Sequence, residues 1–363
     1  MSKTNVIDRL VNYDSTGGDW HGVMAEGVPD VETAEQAYKS SGLDWSVEVR
    51  PHWIEDKVPV REINDDSTIT ETIETVRTES RFTRAVITRD PKGKIHELGS
   101  VGMQFKPLQN VKLFEAAHPF VENGFATYET AGSLRGRRVV FVGLHIGVDH
   151  ITDEDAIARR ILFTNGHDGS ASLQAGFCPW RTYCGNSLHS NLKHGRFLSV
   201  RHTESVEENF KFVVETMDII NKRWLVTLEQ YRKLTKIVVS TDKFEQYVIK
   251  CFIGNLDERV KQFQDELETK SDFSSEQIED ARRRFEASLI PTIRDQANDA
   301  LENSPGARLK GTYGTLWGCY NAVTYLTTHV LGKNAEQRLY SNMFGGEYSR
   351  VGQRALELAV SMI

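Results

Sequence analysis

The chain has 363 residues, of which 39% are hydrophobic and 26% charged, and its formal net charge is −7. That is the composition of a soluble globular protein with room for one large domain or two ordinary ones. It excludes a generic nucleic-acid coat, which would be basic throughout, and a membrane helix, since no apolar run approaches the roughly 18 residues needed. Four cysteines are too few for a disulfide framework in a chain this long, and Cys178 and Cys184 do not have zinc-finger spacing, so reduced thiols and no metal are expected. The opening residues Met1-Ser2-Lys3-Thr4-Asn5 lack the apolar stretch of a signal peptide, and a cytoplasmic protein is expected.

In chain order, residues 1–60 read as irregular, except for a short helix over Thr33–Ser41 that Gly42 stops. Residues 61–80 are rich in Thr and Glu and read as an exposed loop or arm rather than strands. A β-hairpin is predicted over Arg84–Thr88 and Ile95–Gly102, turning at Asp90-Pro91-Lys92-Gly93. Val111, Phe114, Ala117 and Val121 have helical spacing within Leu108–Asn123. A second hairpin joins Ala126–Ala131 to Arg137–Leu144 through Gly132 and Gly136. Arg159–Thr164, Ala171–Phe177 and Phe197–Arg201 read as further strands. From Thr203 the character becomes helical, with a new start at Phe273-Ser274-Ser275-Glu276, a break at Asn303-Ser304-Pro305-Gly306, and a helix over Thr315–Val330. The expected class is α+β: an antiparallel β-hairpin-rich half followed by a helical half. Three segments follow: an irregular 1–80, a β-rich binding core over 81–202, and a helical region over 203–363 packing on that core.

The charge is uneven. Residues 1–130 carry −8 and residues 203–302 carry −6, whereas 131–202 carry +4 with six of the eleven histidines, and 303–363 carry +3. A basic stretch in an acidic protein is a footprint for a polyanion, or ordinary surface charge. No Walker loop, nucleophile elbow, His-Glu-x-x-His or Rossmann fingerprint is present, so no catalytic residue and no cofactor are assigned. Gly132-Ser133-Leu134-Arg135-Gly136-Arg137-Arg138 suits a hairpin tip whose arginines grip phosphate bidentately. Trp180, Arg181 and Tyr183, with Lys193, Arg196 and Arg201, suit unpaired bases stacked on aromatic rings beside a cationic track. The bland alternative is that the aromatic residues fill the core. His167-Asp168, inside Asn165-Gly166-His167-Asp168-Gly169-Ser170, suits a metal site or general base, or simply a strand-to-strand turn.

Several blocks also carry a family resemblance. They are Trp20-His21-Gly22, Ser41-Gly42-Leu43-Asp44-Trp45, Phe105-Lys106-Pro107-Leu108-Gln109-Asn110, Tyr128–Val139, Leu162–Ser170, Phe177–Leu188 and Gly314–Thr324. In number and order they resemble the phage/plasmid-like protein family, domain-of-unknown-function family 932. The resemblance implies a mobile element and brings no activity with it. Where that family usually has a serine after the asparagine, this chain has Gly166.

Phages and conjugative elements often carry recombination mediators. The expected function is therefore single-stranded DNA binding and annealing by a homo-oligomer that does not meet a membrane, in which acidic helices meet basic surface of a neighbour. Phosphate is assigned to Arg135, Arg137, Arg138, Arg181, Lys193, Arg196 and Arg201, and bases to Trp180 and Tyr183. The alternatives are a metal-dependent nuclease or other phosphoryl-acting enzyme using His167 and Asp168, and a structural or host-interaction protein without a nucleic-acid ligand.

Overall fold

The structure is a computed structural model, and it describes residues 7–15, 18–20, 23–65, 68–89, 93–182, 187, 197–215, 217–254, 256–270, 273–289 and 291–363. The elements in chain order begin with β1 (Ile7–Asn12), β2 (Gly18–Trp20), β3 (Val23–Gly27), α1 (Ala34–Ser40), β4 (Val47–Ile63), β5 (Ile69–Arg89), β6 (Ile95–Gly102) and α2 (Val111–Glu122). Then come β7 (Thr127–Leu134), β8 (Val139–His150), β9 (Ala156–Gly166), β10 (Leu173–Phe177), β11 (Trp180–Arg181) and β12 (Phe197–Val200). The helical half holds α3 (Val206–Glu215), α4 (Met217–Leu234), α5 (Thr241–Phe252), α6 (Leu256–Lys270), α7 (Ser275–Leu289), α8 (Pro291–Asn303) and α9 (Leu316–Tyr325). A π-helical turn, Leu326–Val330, follows, and then α10 (Ala335–Met343) and α11 (Glu347–Val360). The class is α+β, strand-rich first and helical second.

The main sheet runs β12-β10-β9-β8-β7-β1-β3-β2, with β11 also pairing with β9. Among the described residues, only the β1·β3 pair is parallel. β8 explains why this sheet is buried on both sides. Its run Val139-Val140-Phe141-Val142 is apolar at every position, and strand alternation sends successive side chains to opposite faces. Val140 and Val142 join the core under α1, α2 and α3, with Leu113, Phe114 and Phe210. Val139 and Phe141 join the opposite core, which α10 closes with Leu339 and Met343. A third core belongs to the helical half and centres on Trp224, Tyr231, Trp317 and Tyr320. Among the described residues, Cys178, Cys251 and Cys319 are buried and not joined in disulfides, and burial pushes the Cys319 thiol up to about 12.

Local signals place several elements closely. Thr33 accepts from the Gln36 amide while Gln36 reaches back to the cap, a capping box that starts α1. α2 starts at Val111 rather than Leu108, with Asn110 as its N-cap residue; the Asn110 side-chain amide donates to the Leu43 and Trp45 carbonyls and gives the helix no cap bond. Gly132 is not in a turn: it lies inside β7, where an added Cβ would sit 2.5 Å from the Arg9 carbonyl oxygen of β1.

The N-terminal region differs most from expectation. The described residues of 1–80 are not irregular, since they supply β1–β3, α1, β4 and most of β5. β4 and β5 pair from Val47↔Thr88 out to Ile63↔Ile69. β6 joins β5 only from Thr83 onward. The distal part is thus a two-stranded ribbon of roughly 35 Å, at about 3.4 Å per residue. The strand signal in Ile69-Thr70-Glu71-Thr72-Ile73-Glu74-Thr75-Val76-Arg77-Thr78 is its β-branched content.

Candidate functional site

The basic hairpin tip is built by constraint rather than left loose. Arg135, Gly136 and Arg137 all have positive φ, of 57°, 69° and 67°, a region that disfavours the two arginines. The Asp8 carboxylate holds them there by accepting from the Gly136 and Arg137 amides at 2.9 and 2.7 Å. Burial raises the Asp8 carboxyl above its usual value, although both amides pull it down. Arg135 Nη1 donates to the Tyr340 hydroxyl at 2.9 Å, and the Arg137 guanidinium lies 5.5 Å from the Trp45 ring centre. Arg138 is half-buried beside them. Two of the three arginines at this tip, Arg135 and Arg137, are therefore already engaged in holding the fold.

Arg181 is a correction. It is fully buried, and its guanidinium is clamped on the Asp155 carboxylate, with Nη2 to Oδ2 at 2.6 Å and Nε to Oδ1 at 2.8 Å. Trp317 Nε1 donates to the same carboxylate at 2.8 Å, and Arg181 also donates to the Gly306 carbonyl and the Thr312 hydroxyl. This group bolts the sheet to the helical half and has no surface with which to meet a phosphate. Trp180 is likewise 8% exposed, with the Arg160 guanidinium 4.4 Å over its ring, so its face is not open to a base. Tyr183, Lys193 and Arg196 lie outside the described residues. Arg201 is exposed and has no ion-pair partner among the described residues.

His167 and Asp168 form a turn over a buried seam. His167 is fully buried, and its Nε2 lies 2.8 Å from Asn110 Oδ1. Asn110 Nδ2 donates to the Leu43 carbonyl, so Oδ1 is the acceptor and the imidazole proton is on Nε2. Burial, reinforced by His202, brings the His167 pKa down to about 3. His202 Nδ1 donates to the Lys106 carbonyl at 3.2 Å, its ring stacks on Phe105, and burial lowers its pKa too. Asn165 Nδ2 donates to the Leu108 carbonyl at 2.9 Å. Three side chains thus stitch the segment 106–110 to the sheet. Asp168 Oδ1 accepts from the Ser170 amide and hydroxyl, closing the turn. The turn packs so tightly that a Cβ on Gly166 would lie 2.4 Å from the Ala171 carbonyl oxygen. The serine usual at this position has no room here, and a base or metal ligand at His167 has no solvent-facing atom. Among the described residues no group of three His, Cys, Asp or Glu side chains is placed to hold a metal.

Beside this turn a cleft of about 340 Å³, with both polar and apolar lining, opens between the end of β6 and the end of β12. Gly102, Gln104, Gly169, Ser172, Arg201, His202 and Thr203 are among its lining residues. Thr83 of β5 pairs with Gly102, one of the residues that line the cleft. Here the register slips. Pro51 faces Arg84 and Trp53 faces Glu79, which leaves Ser80–Thr83 opposite His52 alone. The Ser80 hydroxyl accepts from the Phe82 and Thr83 amides at 3.3 and 3.1 Å and fixes the bulge. Bulges re-aim side chains, and this one leaves Phe82 83% exposed, flanked by exposed Arg81 and Arg84. Neither arginine has an ion-pair partner among the described residues. Sequence reasoning missed this group. Its signal was Arg81-Phe82-Thr83-Arg84 itself, an aromatic residue between arginines.

A larger groove, about 470 Å³, runs between α2 and α3 along Leu108, Ala116, Pro119 and Phe210. The Lys112–Glu115 ion pair lies at its rim and its lining is mainly apolar, so it lacks polyanion chemistry.

Fold and site together define a mixed α+β protein with a stitched two-faced sheet, a surface cleft and a projecting ribbon. The chain belongs to the family described as Domain of unknown function (DUF932), whose model matches residues 97–343. The match begins after the ribbon and the Phe82 bulge. No curated protein and no solved structure matches the chain significantly. Among the described residues, no helix is long and apolar enough to cross a membrane.

Proposed function

We propose that this protein binds single-stranded DNA and anneals it, as a recombination mediator in the cytoplasm of a cell carrying a phage, plasmid or integrated element. The observation that carries the reading is Phe82, 83% exposed on a pinned bulge between Arg81 and Arg84, next to Thr83, whose strand partner Gly102 lines the same cleft as Arg201. A base stacks on the ring, and phosphates on either side meet the guanidinium groups. Gln104, Ser172 and Thr203 supply hydrogen-bonding groups within the cleft. This replaces Trp180 and Arg181 in the expected interface and keeps Arg201 and the half-buried Arg138. Annealing requires a surface that orders a strand rather than a catalytic group, and His167 is neutral and enclosed, which disfavours the nuclease reading.

The test is fluorescence anisotropy of a labelled single-stranded oligonucleotide at two salt concentrations. Binding should weaken as salt rises. Phe82→Ala should weaken it roughly 5- to 150-fold, the range that one stacked base contributes. Arg84→Ala should lower the salt slope by about one. Absence of binding at low salt sinks the proposal, and equal binding by the Phe82→Ala protein removes the bulge from it.

A further inference from the structure

We propose that the β4–β5 ribbon is a self-association arm, in which the free edge of β5 pairs antiparallel with β5 of a second copy across a two-fold axis. The two edges of the ribbon differ. The edge of β4 carries Pro51 and Pro59, which lack the amide that an added strand needs. β5 has no proline and, from Ile69 to Phe82, no strand partner other than β4 among the described residues. Isolated two-stranded ribbons are marginal in water. This one also exposes Ile69, Ile73 and Val76, at 66%, 71% and 45%.

Charge selects the occupant. Residues 53–79 carry eight acidic and three basic side chains, which disfavours nucleic acid and an anionic membrane. One face of the ribbon holds the cross-strand pairs Arg61–Glu71 at 3.3 Å and Glu55–Arg77 at 2.7 Å. Antiparallel pairing of β5 with its copy, centred on Glu74, sets Glu71 opposite the copy's Arg77 and Arg77 opposite its Glu71. Each row then reads Arg61, Glu71, then the copy's Arg77 and Glu55, with the sign alternating across four strands. Moving the centre by one residue sets Glu71 against Glu79 or against a neutral residue. The arrangement is isologous, so it closes as a dimer. Its one unfavourable contact is Glu74 against its own copy.

The experiment is sedimentation velocity of the full chain without nucleic acid over a concentration series, which reads this proposal independently of DNA binding. The wild-type protein should dimerise. Glu71→Arg and Arg77→Glu should each weaken the dimer roughly tenfold, because both rows then bring like charges together. An equimolar mixture of the two variants should recover wild-type association, because position 71 of the Glu71→Arg chain then meets position 77 of the Arg77→Glu chain with opposite charge. Glu74→Gln should tighten it. A monomer at every concentration, single variants that dimerise like wild type, or a mixture no better than its parts would overturn the proposal. Recovery in the mixture also shows that each variant is folded.

Discussion

Two clusters in this molecule share a composition and have opposite fates. Trp180-Arg181 and Phe82–Arg84 each set an aromatic ring beside arginine on a strand. In the first, Asp155 and Trp317 draw the guanidinium into the interior, where it joins the sheet to the helices. In the second, a slipped register and one serine hydroxyl push the ring out into solvent. An aromatic residue beside arginine therefore does not by itself signal a binding surface. What decides is whether a carboxylate elsewhere in the chain meets the guanidinium during folding.

The contrast breaks most sharply at the buried end. Asp155→Ala leaves an uncompensated buried guanidinium and should cost about 3–5 kcal/mol of unfolding free energy. Denaturant titration checks this, and a loss below about 1 kcal/mol would mean that the clamp is not a structural centre. Oligonucleotide affinity per folded molecule should stay unchanged.

The His167 seam gives the next effect. Its folded pKa is near 3, below an ordinary value of 6.5, so the unfolded chain binds the proton first. Stability is fully present above pH 6.5 and should fall between pH 6.5 and 3 by about 1.4 kcal/mol per unit. His167→Gln should flatten that part of the stability–pH profile. An unaltered slope would show that another group dominates acid unfolding.

The smallest effect belongs at the exposed end. Phe82→Ala should shift stability by less than about 0.5 kcal/mol, as surface changes do, while lowering oligonucleotide affinity. A large drop in melting temperature would mean that the ring packs against something and that the two clusters are alike after all.

Much of the sheet was legible in the sequence, because periodicity and turn residues act locally. The helix over 33–41 follows from Thr33 and Gly42, and the helical second half from the change at Thr203, the start at Phe273-Ser274-Ser275-Glu276 and the break at Asn303-Ser304-Pro305-Gly306. The ribbon was missed because the Thr/Glu-rich composition of 61–80 looks like a loop when no core face accompanies it. The interface was misplaced for a longer-range reason. Asp155 lies 26 residues before Arg181, and Trp317 lies 162 residues after Asp155, so no local pattern announces the clamp. The Phe82 bulge depends on a register slip between two strands, and neither strand encodes it alone.

β1, which precedes β7 by more than a hundred residues, sits inside the main sheet between β7 and β3. The Thr130 hydroxyl that donates to the Val11 carbonyl is 119 residues away in sequence. At the ~5–20 residues per second of synthesis, β1 waits on the order of ten seconds for that neighbour. On a ribosome the nascent chain holds an unclosed sheet edge for that interval, and its vulnerability to misassembly ends when the β7–β8 hairpin arrives.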